Sequence, residues 1–231
     1  MPPEPPTVPL PTEPLSARPA LELWLIRHGE TDWNRERRIQ GQQHNPLSAL
    51  GELQARQLGA RLAGERFDAV YASDLKRAVQ TAALALPGYA PVYDARLREV
   101  GRGVLEGQLG ADLVGEQRDL YAAVQGDLLN VRPPGGENYR DVGVRAVAWL
   151  ESLPEVGKIA AVTHGGVIFA LLHHVVGVEG GTRWRFSASN TGVTRLRFVG
   201  DEVRILSVND TAHLEPRPDL RTHYEVKARL T

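Results

Sequence analysis

Apolar and polar positions along the chain fall into alternating strand-like and helix-like blocks. Residues 21–26, LELWLI, form a nearly unbroken apolar run that stops at Arg27, the pattern of a strand buried on both faces. Over 48–64, leucines at 50, 53, 58 and 62 recur among good helix formers, with Pro46 and Ser48 as a start signal and Gly64 as a stop. Residues 68–72 predict a second strand, 74–86 a helix closed by Pro87 and Gly88, and 90–93 a short third strand. Residues 108–130 carry helical stretches without clear limits. Val142, Ala146, Trp149 and Leu150 mark a helix over 137–153, KIAAVT at 158–163 is another buried strand, and 166–176 a helix after it. Residues 191–199 and 202–208 alternate, as two strands joined at Gly200-Asp201 would. This rhythm predicts a sheet with helices on both faces, and no internal repeat interrupts it.

In such sheets ligands bind outside the carboxyl ends of strands. Two of the expected strands run straight into histidine-bearing turns, Arg27-His28-Gly29 and Thr163-His164-Gly165-Gly166. A third ends near Ser73, with Arg77 one helical turn later.

Composition narrows the picture. The 231 residues, 42% hydrophobic, suit one domain over 21–231 with a full core. Residues 1–20 are proline-dominated and predict a partly extended, flexible tail, with adaptor binding as its alternative use. No run approaches the roughly 20 apolar residues of a membrane span, so a soluble, cytoplasmic protein without a membrane partner is expected. The net charge of −1, from 27 basic and 28 acidic residues, argues against nucleic acid as a partner. With no cysteine there is neither a disulfide nor a thiolate metal site.

The histidine turns suggest phosphoryl chemistry. An arginine fork matches two phosphate oxygens, and Gly29 allows a close backbone approach. A neutral imidazole held in one tautomer is a competent nucleophile toward phosphorus, and the charge that develops there needs nearby cations. Arg27, Arg77 and His164 are candidates to supply them without a cofactor. A metal site is the rival for paired histidines, but carboxylates at ligand spacing are missing beside both.

Several segments in order, LIRHGETDWN at 25–34, RIQGQQHNPLSALGELQA at 38–55, YASDLKRAVQTA at 71–82, LREVGRGVLEG at 97–107, PPGGE at 133–137 and VTHGG at 162–166, resemble the histidine phosphatase superfamily, the phosphoglycerate mutase-like proteins, in its phosphatase branch. The resemblance runs from about residue 21 to 213. It implies a three-layer α/β/α fold with a mainly parallel sheet and a phosphomonoester hydrolase acting on a small phosphorylated metabolite. The oligomeric state is open between monomer and homodimer, the apolar strand edge near 193–208 being the surface a dimer would use. It implies that His28 is phosphorylated, that Arg27, Arg77 and His164 complete the phosphate pocket, and that Glu99 donates a proton to the leaving oxygen and later serves as base. Asn34, Gln40 and Gly41 would contact the substrate or line the entrance, and the Gly165 amide would add a donor. Glu30 would be a supporting group near the nucleophile and Glu106 a structural one. His173 and His174 fall on the helix after His164, and His213 in a late structural segment.

The chain departs from the family pattern at Gly101 and Leu105, where an acidic residue and an aromatic are common, which bears on the leaving-group side of the pocket. Cofactor-dependent phosphoglycerate mutase is the alternative reading. Residues 108–136 lack the longer insertion of mutases and keep only Pro133-Pro134 of its pattern. Dephosphorylation of α-ribazole phosphate and a non-catalytic phospholigand-binding module are the further alternatives.

Overall fold

The computed structural model describes residues 18–177 and 186–222. The first seventeen residues of the expected tail lie outside them, but its last three do not: β1 (Arg18–Arg27) begins at Arg18, where the backbone already pairs with Gly200. Among the described residues β2 (Ala69–Ala72), β3 (Val92–Tyr93), β4 (Val156–Thr163), β5 (Val193–Gly200) and β6 (Glu202–Asp210) complete one six-stranded sheet in the order β3-β2-β4-β1-β5-β6. β3, β2, β4 and β1 run parallel. β5 and β6 add an antiparallel edge, so the sheet is mixed while its centre is parallel.

Among the described residues six α-helices accompany it: α1 (Asp32–Arg35), α2 (Ala49–Leu62), α3 (Lys76–Ala85), α4 (Gly115–Gly126), α5 (Tyr139–Glu151) and α6 (Gly165–Val176). Ser48 caps α2 by accepting from the Gly51 amide, and Asn138 with Asp141 forms a capping box at α5. The single turn α1 has no apolar face to announce it; a Thr31–Asn34 capping box holds it. α3 starts two residues later than the 74–86 pattern suggests, because Leu75 is still extended.

β1 explains the nearly unbroken apolar run at 21–26, whose one charged member, Glu22, is ion-paired with Arg197. Leu21, Leu23 and Leu25 pack with Trp149, Leu150, Val167 and Leu171 from α5 and α6. Trp24 and Ile26 point the other way, to Leu58 and Leu62 of α2 and Ala78 and Ala82 of α3. A strand covered on both faces calls for a near-continuous run of apolar side chains. Burying each leucine stabilises the fold by about 1.5–3 kcal/mol. A smaller cluster of Leu105, Leu113 and Val124, with Ile39 and Tyr121 against it, brings α4 over one end of the sheet.

Register then positions the site. Arg27 lies opposite Thr163 in the β1–β4 pair, and Ala72 opposite Val162 in the β2–β4 pair. His28, His164 and Ser73 therefore leave the sheet side by side, each one residue beyond its strand.

Candidate active site

A cavity of about 350 Å³ opens at the carboxyl ends of the central strands. Arg27, His28, Asn34, Gln40, Gly41, Arg77 and Glu99 all line it, so strand ends and loops spread over more than seventy positions converge on one space.

His28 is buried, with 2% of its surface exposed. Its Nδ1 lies 2.6 Å from the Gly29 carbonyl. A carbonyl can only accept, so the proton is on Nδ1 and the lone pair on Nε2. Arg77 Nε donates to that Nε2 at 3.3 Å, which agrees with the same tautomer. Burial, followed by the fields of Arg77 and Arg27, holds the His28 pKa well below that of an ordinary histidine. The ring is therefore neutral and fixed in orientation.

Arg77 is fully buried at the start of α3. Nη1 donates to the Gln43 carbonyl at 2.8 Å and Nη2 to the Gly41 carbonyl at 2.9 Å, while Nε also reaches His164 Nδ1 at 3.2 Å. Desolvation lowers its pKa to about 10, still far above neutrality. The positive φ of Gly41, +50°, turns its loop beneath the Glu106 carboxylate, where a Cβ would lie 1.9 Å from Oε1. Glu106 accepts from the amides of Gln42 and Arg102 at 2.9 Å each, and so joins the 40–43 loop to the 101–106 loop.

His164 departs from expectation. It has no exposed surface and does not line the cavity, lying behind Arg77 with its ring centroid 5.0 Å from that of His28. Burial and the Arg77 field push its pKa well below the usual value, so as the site stands it is a neutral link and not a cation. Since Nδ1 accepts from Arg77, Nε2 carries the proton and donates to Ser73 Oγ at 2.9 Å. Arg27 reaches the Ala188 carbonyl with Nη1. A Cβ on Gly165 would sit 3.7 Å from Arg27 Nε, which places the amino end of α6 beside that guanidinium.

Glu99 approaches from the loop before Val100. Oε1 accepts from the amides of Val100 at 2.8 Å and Gly166 at 3.0 Å, leaving Oε2 the less encumbered oxygen. The Glu99 carbonyl is held by Gln42 Nε2 at 3.2 Å and Arg145 Nη2 at 3.0 Å. Asn34 Oδ1 accepts from the Thr31 amide at 3.1 Å, and Gln40 Oε1 accepts from Thr31 Oγ1 at 2.9 Å. Both amide groups are thereby oriented with their nitrogens unused by these contacts.

Glu30 faces away. Its carboxylate accepts from Ser48 Oγ and Thr222 Oγ1, each at 3.0 Å, and ties the chain's later part to α2. His173 lies against Phe169, ring centroids 4.1 Å apart and planes tilted by 38°, within α6 beside His174. His213 Nε2 is 2.9 Å from Thr191 Oγ1; the Thr191 amide donates to the Arg27 carbonyl at 3.0 Å, so this pair braces the nucleophile turn from outside. Sequence reasoning missed Asn190, whose Nδ2 donates to the His28 carbonyl at 3.0 Å, and the Arg102–Tyr139 pair on the cavity wall. Neither stands at a strand end. No cluster of three or more His, Cys, Asp or Glu side chains suited to a metal occurs among the described residues, and no described helix is long and apolar enough to cross a membrane.

Residues 23–211 match the histidine phosphatase superfamily (branch 1). The chain is 36% identical over 183 residues to "Probable phosphoglycerate mutase GpmB" of Enterobacter sp. (strain 638), covering 77% of this chain and 85% of that one. Among solved structures it is similar to Bacillus stearothermophilus YhfR, with a TM-score of 0.79 and 32% identity, covering 84% of this chain and 100% of the other. The α-ribazole phosphatase of Shigella flexneri gives a TM-score of 0.76 at 29% identity, covering 82% of this chain and 96% of the other.

Proposed function

The chain belongs to the histidine phosphatase superfamily, branch 1, whose members are phosphatases or mutases, and on that footing we propose that it hydrolyses a small phosphomonoester through a phosphohistidine at His28. The observation that carries this reading is the His28 ring: Nδ1 bound to the Gly29 carbonyl, Nε2 bearing its lone pair toward Arg77, the whole kept neutral by burial and two guanidinium groups.

In the first step the Nε2 lone pair attacks phosphorus and the P–O ester bond breaks. Glu99, in its protonated form, gives its proton to the departing oxygen from Oε2, the oxygen not held by two backbone amides. Arg27 and Arg77 balance charge on the equatorial oxygens, with the Gly165 amide and the Asn34 side-chain amide as further donors. Arg77 gives up its contact with Nε2 to do so, and its carbonyl contacts to residues 41 and 43 keep the fork in place. His164 steadies Arg77 through Nδ1. In the second step water attacks phosphorus, Glu99 takes its proton, and the P–N bond breaks with its electron pair returning to Nε2. Inorganic phosphate leaves, and Gln40 and Gly41 line the way out.

Transfer back to an isomeric acceptor is the second reading, favoured by the relative described as a mutase. Both share the first step, so one experiment separates them. The protein is incubated with phosphomonoesters, among them α-ribazole 5′-phosphate, and separately with 3-phosphoglycerate plus 2,3-bisphosphoglycerate. Release of inorganic phosphate with an acid-labile, base-stable label on His28 is expected, and His28→Ala should abolish both. Full turnover by His28→Ala would refute the covalent route; isomerisation without phosphate release would make the protein a mutase.

A further inference from the structure

Among the described residues, five arginines, 27, 37, 38, 77 and 102, line the cavity against a single carboxylate, Glu99. Arg27 and Arg77 serve the phosphoryl end, since theirs are the cationic fields that reach His28. Arg38 is committed to Glu36 Oε2 at 3.1 Å and the Gly107 carbonyl at 2.7 Å. Arg102 is placed differently. Its guanidinium lies over the Tyr139 ring, 5.5 Å from the centroid, with Nη2 3.4 Å from the phenol oxygen. No carboxylate of the described residues pairs with it.

The backbone carrying Arg102 is fixed from three sides. Its amide donates to Glu106 Oε1 at 2.9 Å, the Glu137 amide donates to the Gly101 carbonyl at 2.8 Å, and the Val104 amide to the Pro134 carbonyl at 3.1 Å. At Gly103, with φ +49°, a Cβ would lie 2.1 Å from the Pro134 oxygen, so the two loops touch backbone to backbone. The half-buried guanidinium is thus held in place, with Nη2 on the Tyr139 hydroxyl and its Nε and Nη1 donors uncommitted among the described residues. Ile39, Leu105, Val124 and Tyr121 make another part of the same wall apolar.

We propose that Arg102 is a specificity-determining residue that receives a second, singly charged anionic group, such as a carboxylate, on a phosphomonoester whose apolar or aromatic body rests against Leu105, Val124 and Tyr121. The proposal rests on the hydrolase reading for its kinetic test alone. One stacked guanidinium offers two parallel donors to a planar monoanion, and partial burial makes that contact stronger than in water. Nothing in the phosphoryl-transfer step requires it.

The test compares 4-(carboxymethyl)phenyl phosphate with 4-ethylphenyl phosphate, whose leaving phenolates are nearly equal because a methylene insulates the ring from the carboxylate. Wild-type kcat/KM should favour the carboxylate ester by about tenfold or more, the size of one charge-assisted contact. Arg102→Met should bring the ratio to about one, and Arg102→Lys should keep part of it. A wild-type ratio of one or less, or the same ratio in Arg102→Met, would overturn the proposal. Calorimetric binding of 4-(carboxymethyl)benzylphosphonate against 4-ethylbenzylphosphonate makes the same comparison without turnover. A binding preference lost in Arg102→Met, with neither ester hydrolysed, would sink the hydrolase reading and leave the anion site standing. Hydrolysis of both esters with no preference would do the reverse.

Discussion

Arg77 is the side chain on which the others depend, because one buried guanidinium touches both imidazoles and two loop carbonyls. Its field depresses both histidines, so removing it should raise both pKa values toward the ordinary one. In Arg77→Met, NMR titration of the His28 and His164 ring protons should show that rise; unchanged titration would mean that burial and the remaining charges, Arg27 among them, set both pKa values without Arg77. Glu99 makes a separate prediction. In Glu99→Gln the acid is lost while the amide can still accept from Val100 and Gly166, so the loop should hold. Turnover of alkyl phosphates should fall about 10²–10⁴-fold, and that of an activated aryl phosphate far less, since its phenolate leaves without a proton. An equal loss on both would remove Glu99 from the acid role.

Elements explain what was legible in the chain and what was not. The strand run 21–26 and the turns at 27–29 and 163–166 could be read because a doubly covered strand and a glycine-bearing turn leave local marks. His164 could be seen as part of the site but not as a neutral link, since its state comes from burial and from Arg77, eighty-seven positions earlier in sequence. Asn190 and Arg102 left no local sign, because their roles come from long-range contacts with 28 and 139. Gly166 is the clearest instance. It reads as one more glycine in VTHGG, yet a Cβ there would lie 2.1 Å from Glu99 Oε1, which arrives from another loop. Gly166→Ala should therefore displace the carboxylate while leaving α6, where alanine is the better helix former by about 1 kcal/mol, intact. Alkyl-phosphate turnover should drop at least about tenfold with the far-ultraviolet dichroism unchanged. Wild-type turnover would show that the carboxylate can move aside at no catalytic loss.

At the scale of the whole molecule, the cost of keeping histidines neutral and buried should appear as a pH dependence of stability. His28, His164 and His213 all have folded pKa values below the 6.5 of the unfolded chain, His213 at about 4, where burial and the Arg61 field act against its proton. Below pH 6.5 the unfolded chain binds protons that the folded one refuses, so stability is complete above that value and is lost as pH falls toward the folded pKa values. The ion-paired carboxylates, Asp74, Asp94 and Asp210 among them, are also depressed by their arginine partners, and they too lose stability on the acid side. Their loss begins lower, near the carboxylate range, so a decline that sets in at about pH 6.5 belongs to the imidazoles. For His213 alone the linkage amounts to about 2 kcal/mol between pH 7.5 and pH 5. Urea unfolding of wild type and His213→Gln at those two pH values isolates it, because any general weakening from losing the Thr191 contact appears at both. The variant should lose less stability than wild type on acidification, by roughly that amount. Parallel losses in the two proteins would mean that His213 titrates in the folded state much as it does in the unfolded one.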